Sequence, residues 1–304
     1  MVNNYIGDFT LTKLKSINKT FLKIKKEELK GLKPIFKWTG GKRREIKYFE
    51  KFFPHFISDT YTYVEPFVGG GAVYFYLNNL LGKNVINDFD PLVGNFYKEF
   101  SINDKSFELE IKRIGNITDH NLLSEEYYKL RNLDKKDGLK KLSNIEKAIR
   151  FFVVNQLAFS GMRRFNADGE FNVPFGHYKG LNTNVIGSPA HIALLSKSEI
   201  YVGDFAPIMK KYDKPKTFMF LDPPYTRVFK EYSSDNSFGE LEQIRLAETI
   251  KSIKDASIMM IIDKSDLTQQ LYQNMIKNTY SLKYGVNIKN RFSTAVEHLV
   301  ICNY

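Results

Sequence analysis

Residues 61–80 read YTYVEPFVGGGAVYFYLNNL, and NVIND (84–88) follows almost at once. A β-rich run passes into three consecutive glycines and then into an apolar stretch with helical spacing at Val73, Tyr76, Leu77 and Leu80. That pattern predicts a strand, a glycine turn and a helix. The next strand ends on an acid, Asp88. Strand, helix and strand in so few residues, with glycines at the first turn and an acid after the second strand, begin a doubly wound α/β nucleotide-binding sheet.

Strand patterns return at SEIYVGDF (198–205), TFMFLD (217–222), ASIMMIID (256–263), YSLKYGVNIK (280–289) and AVEHLVICNY (295–304). Between the two sets, residues 92–158 hold many charges and helical patterns such as SNIEKAIRFFVVNQLAF (143–159). The division expected is therefore a basic N-terminal arm (1–33), a core built from 34–91 and 198–304, and a helical insert (92–197) that splits the sheet.

The stretch FLDPPYT (220–226) ends a buried strand with a carboxylate, Asp222, and two prolines. Neither proline can extend the ladder, because each lacks an N–H and fixes φ. The chain leaves the sheet on a stiff backbone that holds Asp222 and Tyr225 at a set separation. Taken alone, these residues fit a plain strand exit with a surface acid equally well.

The glycine turn also admits two readings, since a tight turn with no ligand needs the same residues. GGGAVY lacks the third glycine of GxGxxG, which a pyrophosphate-binding dehydrogenase would show. Glu65, just before the turn, disfavours a phosphate and suits a positively charged or zwitterionic ligand. S-adenosylmethionine has a sulfonium, an amino-acid end and a ribose, which Glu65, the glycine backbone and Asp88 could each hold.

Composition narrows the class. At 304 residues and 43% hydrophobic the chain can bury a full core. Lys and Arg number 45 against 34 acids, a net charge of +11 with pI near 9.3, which favours a polyanionic partner such as nucleic acid. One cysteine, Cys302, and five scattered histidines give no disulfide and no metal-ligand spacing, so no metal and a reducing, cytoplasmic setting are expected. No apolar run reaches the length of a membrane span. Residues 1–33 carry eight lysines against Asp8, Glu27 and Glu28, which fits a DNA-touching arm or a solvated helix face.

VEPFVGGGAV (64–73), INDFDPLV (86–93) and LDPPY (221–225), in that order and preceded by FKWTGGKR (36–43), resemble the motifs of the alpha-group DNA amino-methyltransferases, specifically the Dam-type DNA N6-adenine methyltransferases. SGMRRFNADGEFNVPFGHYK (160–179) resembles the segment with which those enzymes read DNA, and the likeness runs collinearly over about residues 34–304. It implies a Rossmann-like S-adenosylmethionine-dependent methyltransferase core with an inserted helical DNA-recognition domain, acting on double-stranded DNA after base flipping. It also implies site residues. The catalytic group would be Asp222, Pro223, Pro224 and Tyr225. The cofactor would meet Trp38, Lys42, Glu65, Pro66, Phe67, Gly69, Gly71, Asp88, Asp204, Phe205 and Asp222. DNA would meet Lys37, Phe159, Met162, Arg163, Arg164, Asn166, Pro174 and Lys179.

The stiff DPPY then has a chemical reading. An adenine N6 amine is a poor nucleophile because its lone pair is delocalised into the ring. Acceptors that take both of its hydrogens, the Asp222 carboxylate and the Pro223 carbonyl, favour a pyramidal nitrogen, and proline fixes their geometry. Tyr225 would stack on the extruded base.

The N-terminal arm departs from the shortest family members, and the stretch after DPPY and the segment VNIKNRFSTAVEH (286–298) are shorter than expected. GATC is the first choice of site; a cognate restriction endonuclease is one partner such an enzyme can have, and the sequence leaves open whether one exists. The alternatives are an N4-cytosine DNA methyltransferase, against which the acid at position 222 argues, and a non-catalytic DNA-binding subunit, which would require a broken motif.

Overall fold

The computed structural model describes residues 31–54, 61–78, 82–225, 238–283 and 295–304. Most of the arm, Leu80, the first part of the stretch after DPPY and most of 286–298 lie outside the described residues.

Seven strands form one sheet: β1 (Thr62–Glu65), β2 (Lys83–Asp88), β3 (Ser198–Val202), β4 (Thr217–Leu221), β5 (Ser257–Asp263), β6 (Ile276–Lys283) and β7 (Ala295–Cys302). Their order is β3-β2-β1-β4-β5-β7-β6. Neighbours from β3 to β5 are parallel, and β7 runs antiparallel to both β5 and β6. Ten α-helices are described: α1 (Ile46–Phe49), α2 (Ala72–Leu77), α3 (Pro91–Ile102), α4 (Lys105–Gly115), α5 (His120–Arg131), α6 (Asn144–Leu157), α7 (Pro189–Ser196), α8 (Phe205–Lys211), α9 (Glu240–Ser252) and α10 (Asp266–Tyr272).

A parallel strand covered on both faces reads as a continuous apolar run, and every residue of β4, TFMFL, is buried. Its side chains alternate between two cores. Phe218 and Phe220 join Tyr63, Met259 and Ile261 on one face, and Met219 and Leu221 join Val64, Met260 and Ile262 on the other. This is the period of two along a strand, felt on both sides of the sheet.

The first core also takes in Phe36 and much of the insert, including Phe96, Tyr97 and Phe152. The sequence reading assigned α3 to the insert, yet it packs on β2, β3, α6 and α7. Asp90 starts it by accepting from the Leu92 N–H, with Pro91 at the first helical position, the arrangement that suits a helix N-terminus.

Several boundaries differ from the expected ones. α2 stops at Leu77, where Asn78 takes a left-handed φ of 45°. The third strand ends at Val202, because Asp204 caps the next helix through the Ala206 N–H. β6 begins four residues before Tyr280. The segment 158–175 falls in the expected helical insert, but bridges pair Ala158 with Phe175 and Phe165 with Phe171. Gly169, at φ 76°, turns that hairpin.

In a doubly wound sheet, ligands sit beyond the carboxyl ends of the strands where the strand order reverses. Here that point lies between β1 and β4. Glu65 and Asp88 end β1 and β2, and Asp222 follows β4 directly.

Candidate active site and nucleic-acid face

The glycine turn is closed by an indole. Gly69 and Gly71 have φ of 45° and 67°, a region that L side chains rarely enter. A Cβ on Gly69 would fall 2.5 Å from Trp38 Nε1, and one on Gly70 2.6 Å from Trp38 Cβ. The glycines therefore serve both the turn and the close seating of Trp38. The Gly69 N–H donates to Asp88 Oδ2 (2.8 Å), and the Asp90 N–H to Asp88 Oδ1 (2.9 Å). The Tyr97 hydroxyl donates to the Gly69 carbonyl (2.9 Å). Asn87 Nδ2 donates to the carbonyls of Pro66 and Gly203, both at 2.9 Å, which ties the turns after β1 and β3 together. Tyr97 and Asn87 were not singled out from sequence. Asn87 sits one residue before the motif acid, and that proximity was the available signal.

Beside this turn lies a cleft enclosing about 600 Å³ of space, open solvent included, bordered by Phe36, Trp38, Lys42, Glu65, Phe67 and Asp222 among others. Lys42, only 2% exposed, donates to Asp222 Oδ1 at 2.8 Å and to the Gly40 carbonyl at 2.8 Å. Glu65 accepts from the Tyr63 hydroxyl at 2.6 Å. Burial holds the Glu65 carboxyl well above its ordinary range, and the nearby charges of Asp222 and Asp88 push the same way. Burial likewise raises Asp88 to about 6, opposed by its two backbone hydrogen bonds. Asp222 is raised by burial although Lys42 pulls it down. Burial thus raises three carboxyl groups, two of which act on the third, Glu65, and Lys42 pairs with one of them, Asp222. Arg43 also borders the cleft, but its guanidinium donates to the Gly31 carbonyl.

The DPPY segment is held from behind. Pro223 is buried and Pro224 exposed. The Pro224 carbonyl accepts from Nε2 of Gln243 at 2.8 Å. Gln243 is fully buried on α9, and no motif pointed to it. Tyr225 lies with its ring centroid 4.7 Å from Lys42 Nζ and 5.4 Å from the His298 ring, which in turn stacks on Tyr280. Lys42 therefore bridges Asp222 and Tyr225, a pairing that FKWTGGKR and LDPPY, far apart in sequence, gave no means of seeing.

Asp204 and Phe205 sit at the edge of this region. Asp204 accepts from Arg245 Nη1 (3.0 Å) and Nη2 (2.5 Å), and that pairing holds its carboxyl below the ordinary range. The Arg245 guanidinium lies 4.2 Å from the Phe205 ring centroid. Phe205 packs at 5.2 Å on Phe67, which borders the cleft.

The expected DNA-reading residues cluster around the hairpin. Lys37 Nζ donates to the Gln156 carbonyl (2.6 Å) and lies 3.7 Å over the Tyr178 ring. Its backbone N–H donates to Asn155 Oδ1 (2.9 Å), and Asn155 Nδ2 returns a bond to the Lys37 carbonyl (2.8 Å). Phe159 is 42% exposed and precedes a chain bend in which Ser160 takes φ 53°. Met162 is partly buried against the first core. Arg164 is exposed and donates to Asn172 Oδ1 at 2.8 Å. Asn166 accepts from the Glu170 N–H (2.8 Å) across the hairpin tip. Pro174 and Lys179 are exposed. Arg163 turns inward, toward Asp90 and the Trp38 ring.

The hairpin's base rests on a buried ion pair. Arg150 and Asp134 meet at 2.7 Å, and Asp134 Oδ2 also accepts from the Phe171 N–H (2.8 Å). Neither residue was anticipated from sequence, where each is one charge among many in the insert.

Comparison with known proteins shows the family. Residues 38–288 match the family model of the D12 class N6 adenine-specific DNA methyltransferases. The chain is 34% identical over 276 residues to the type II methyltransferase M.CviBI of Paramecium bursaria Chlorella virus NC1A, covering 90% of this chain and 100% of that one. It is 29% identical to the type II methyltransferase M.MjaIII of Methanocaldococcus jannaschii, covering 90% and 99%. To the DNA adenine methylase of Haemophilus influenzae it is 30% identical, covering 83% and 87%. The class is adenine-specific, which removes the N4-cytosine alternative. With residues of FKWTGGKR, VEPFVGGGAV and LDPPY lining one cleft, the chain belongs to the D12 class of N6 adenine-specific DNA methyltransferases.

Proposed function

We propose that this enzyme transfers a methyl group from S-adenosylmethionine to N6 of an adenine flipped out of duplex DNA, with GATC as its site. The observation that carries the reading is Asp222. It stands at the carboxyl end of β4, held by Lys42 at 2.8 Å, in a cleft bordered by Glu65 and Trp38. A cleft bordered by Glu65 and Asp222, with Asp88 acting on Glu65 from beside it, favours a cationic ligand, because a positive charge offsets the cost of burying carboxylates. The donor set fits S-adenosylmethionine on those grounds, and the methyl sulfonium is the chemistry it supplies when bound.

The chain's own residues then have distinct tasks. Glu65, the glycine turn and Trp38 receive the donor, with Lys42 toward its amino-acid end, Asp88 toward the ribose, and Phe67, Asp204 and Phe205 toward the adenine. Asp222 accepts one hydrogen of the target amine and the Pro223 carbonyl the other, so that the nitrogen lone pair is aimed at the methyl group. The Gln243 bond to the Pro224 carbonyl keeps that pair of acceptors fixed. Tyr225 offers a ring face to the flipped base. Residues 92–197 act as the recognition domain: Arg164 and Lys37 meet base edges, Phe159, Met162 and Pro174 meet the stack or a thymine methyl, and Lys179 meets phosphate. The basic arm adds non-specific affinity. A cognate endonuclease and a cytoplasmic setting suit the type II relatives. No helix among the described residues is long and apolar enough to cross a membrane.

Nucleoside analysis of duplexes after incubation with S-adenosylmethionine tests the reading. N6-methyladenine should appear in GATC duplexes and vanish when the A·T pair is replaced. Methylation of adenine only in other sequences would remove GATC and leave the chemistry.

A further inference from the structure

Arg163 lies in the recognition segment, yet its guanidinium does not face outward. Nη2 pairs with Asp90 Oδ2, and the guanidinium carbon sits 5.0 Å from the Trp38 ring centroid and 5.4 Å from that of Phe151. Two of these three partners, Asp90 and Trp38, belong to the cofactor side. Asp90 caps α3 through the Leu92 N–H and gives its own N–H to Asp88 Oδ1 at 2.9 Å. Asp88 Oδ2 takes the Gly69 N–H, and Trp38 closes over Gly69 and Gly70. The contacts make a closed ring: Arg163, Asp90, Asp88, Gly69, Trp38 and Arg163 again. Among the described residues, this is the ion pair that joins the hairpin segment to the turns at the ends of β1 and β2.

We propose that Arg163 is a positioning residue that couples DNA recognition to cofactor binding, and not a base or phosphate ligand. The proposal rests on the reading of the cleft as the S-adenosylmethionine site. When DNA seats the segment 159–175, the guanidinium presses Asp90 and Trp38 into the positions that the cofactor needs. The coupling is reciprocal by thermodynamic necessity, so cofactor tightens DNA binding by the same factor. A planar guanidinium suits the task, because it can pair with a carboxylate in its plane and lie against an indole with its face. Its neighbour Arg164 is exposed and partnered only within the hairpin, by Asn172. Two adjacent arginines in one motif thus take opposite directions.

Calorimetry with sinefungin, an unreactive cationic analogue of the cofactor, measures the coupling on the full chain without and with a GATC duplex. Wild type should bind the analogue at least about fivefold more tightly with DNA. Arg163→Gln and Asp90→Asn should each bring that ratio close to one, and the double variant should do no more than either. The salt slope of DNA binding should stay unchanged in Arg163→Gln, whereas loss of a phosphate contact lowers it by about one. Asparagine can still cap α3, so Asp90→Asn keeps the test informative if Arg163→Gln folds poorly. A full coupling ratio in Asp90→Asn, a wild-type ratio of one, or a slope lowered by one in Arg163→Gln would each overturn the proposal. Failure of wild type to bind sinefungin at all would instead overturn the reading of the cleft.

Discussion

The cleft at the ends of β1 and β4 and the hairpin at 158–175 differ in how their polar groups are engaged. In the cleft region, Glu65, Asp88 and Lys42 each have an intramolecular partner in place, and Gly69 is held from both its N–H and its carbonyl. On the hairpin, Arg164 and Pro174 are exposed, Arg164 bonding to Asn172 of the same hairpin, Phe159 shows a ring to solvent and Asn166 bonds within the turn; Lys179, just beyond it, is exposed too. A site that performs one reaction gains from groups fixed before the ligand arrives. A surface that reads a long polymer gains from donors left facing solvent on a stiff support. The support is present here in the buried Arg150–Asp134 pair beneath the hairpin.

That contrast can be broken most severely in the cleft. A Cβ at position 70 would meet Trp38 Cβ at 2.6 Å, so Gly70→Ala must move the indole or the turn by something near an ångström. A displacement of that size costs about 10²-fold in rate, and it should appear in kcat/KM for the cofactor with KM for DNA little changed. Steady-state kinetics with each substrate varied in turn checks this. An equal loss in both constants would mean that the turn serves the whole fold and not the cofactor side.

On the hairpin the expected effects are smaller and selective. Arg164→Ala should relax discrimination at one base pair by roughly 1–3 kcal/mol, while Lys179→Ala should weaken binding to all sequences alike and flatten the salt dependence. Methylation rates on single-substituted GATC duplexes at two salt concentrations separate the two. A uniform loss for Arg164→Ala would make it a phosphate contact.

The smallest effect concerns acid–base balance in the cleft. Burial raises the Asp88 carboxyl to about 6, above its ordinary unfolded value. Such a group adds stability below the unfolded pKa, and that contribution is lost as pH rises through the folded pKa. Without cofactor, wild type should therefore lose roughly 2 kcal/mol relative to Asp88→Asn between pH 4 and pH 7. Urea unfolding midpoints at both pH values measure it. Burial raises Glu65 and Asp222 in the same direction, so the slope of wild type alone is steeper than that of the Asp88 difference.

Much of the sheet was legible because strands buried on both faces are written as apolar runs. TFMFL and SIMMIID occur in the structure within a residue of where they were expected. Less legible were the places where one residue's geometry overrides pattern. The left-handed Asn78 stops α2, and Asp204 ends a strand run by capping a helix. In the site, Glu65, Lys42, Trp38 and Asp222 could be named from motifs, and they do line one cleft. Gln243, Tyr97, Asn87, Arg150 and Asp134 could not. Each acts through a backbone group or an ion pair distant in sequence, and apart from the place of Asn87 beside the motif acid no local spacing points to such a bond. The direction of Arg163 was hidden for a further reason: two adjacent arginines look identical until the chain's turn sends one of them inward.

The account stands on Asp222 as the group that holds the reacting amine while other residues hold the cofactor. Single-turnover methylation of a GATC duplex by Asp222→Ala, with sinefungin affinity measured on the same preparation, tests it directly. The rate of N6-methyladenine formation should fall by at least about 10²-fold, with analogue binding weakened but measurable. Turnover above about a tenth of wild type, where a positioning group should cost far more, would contradict the account.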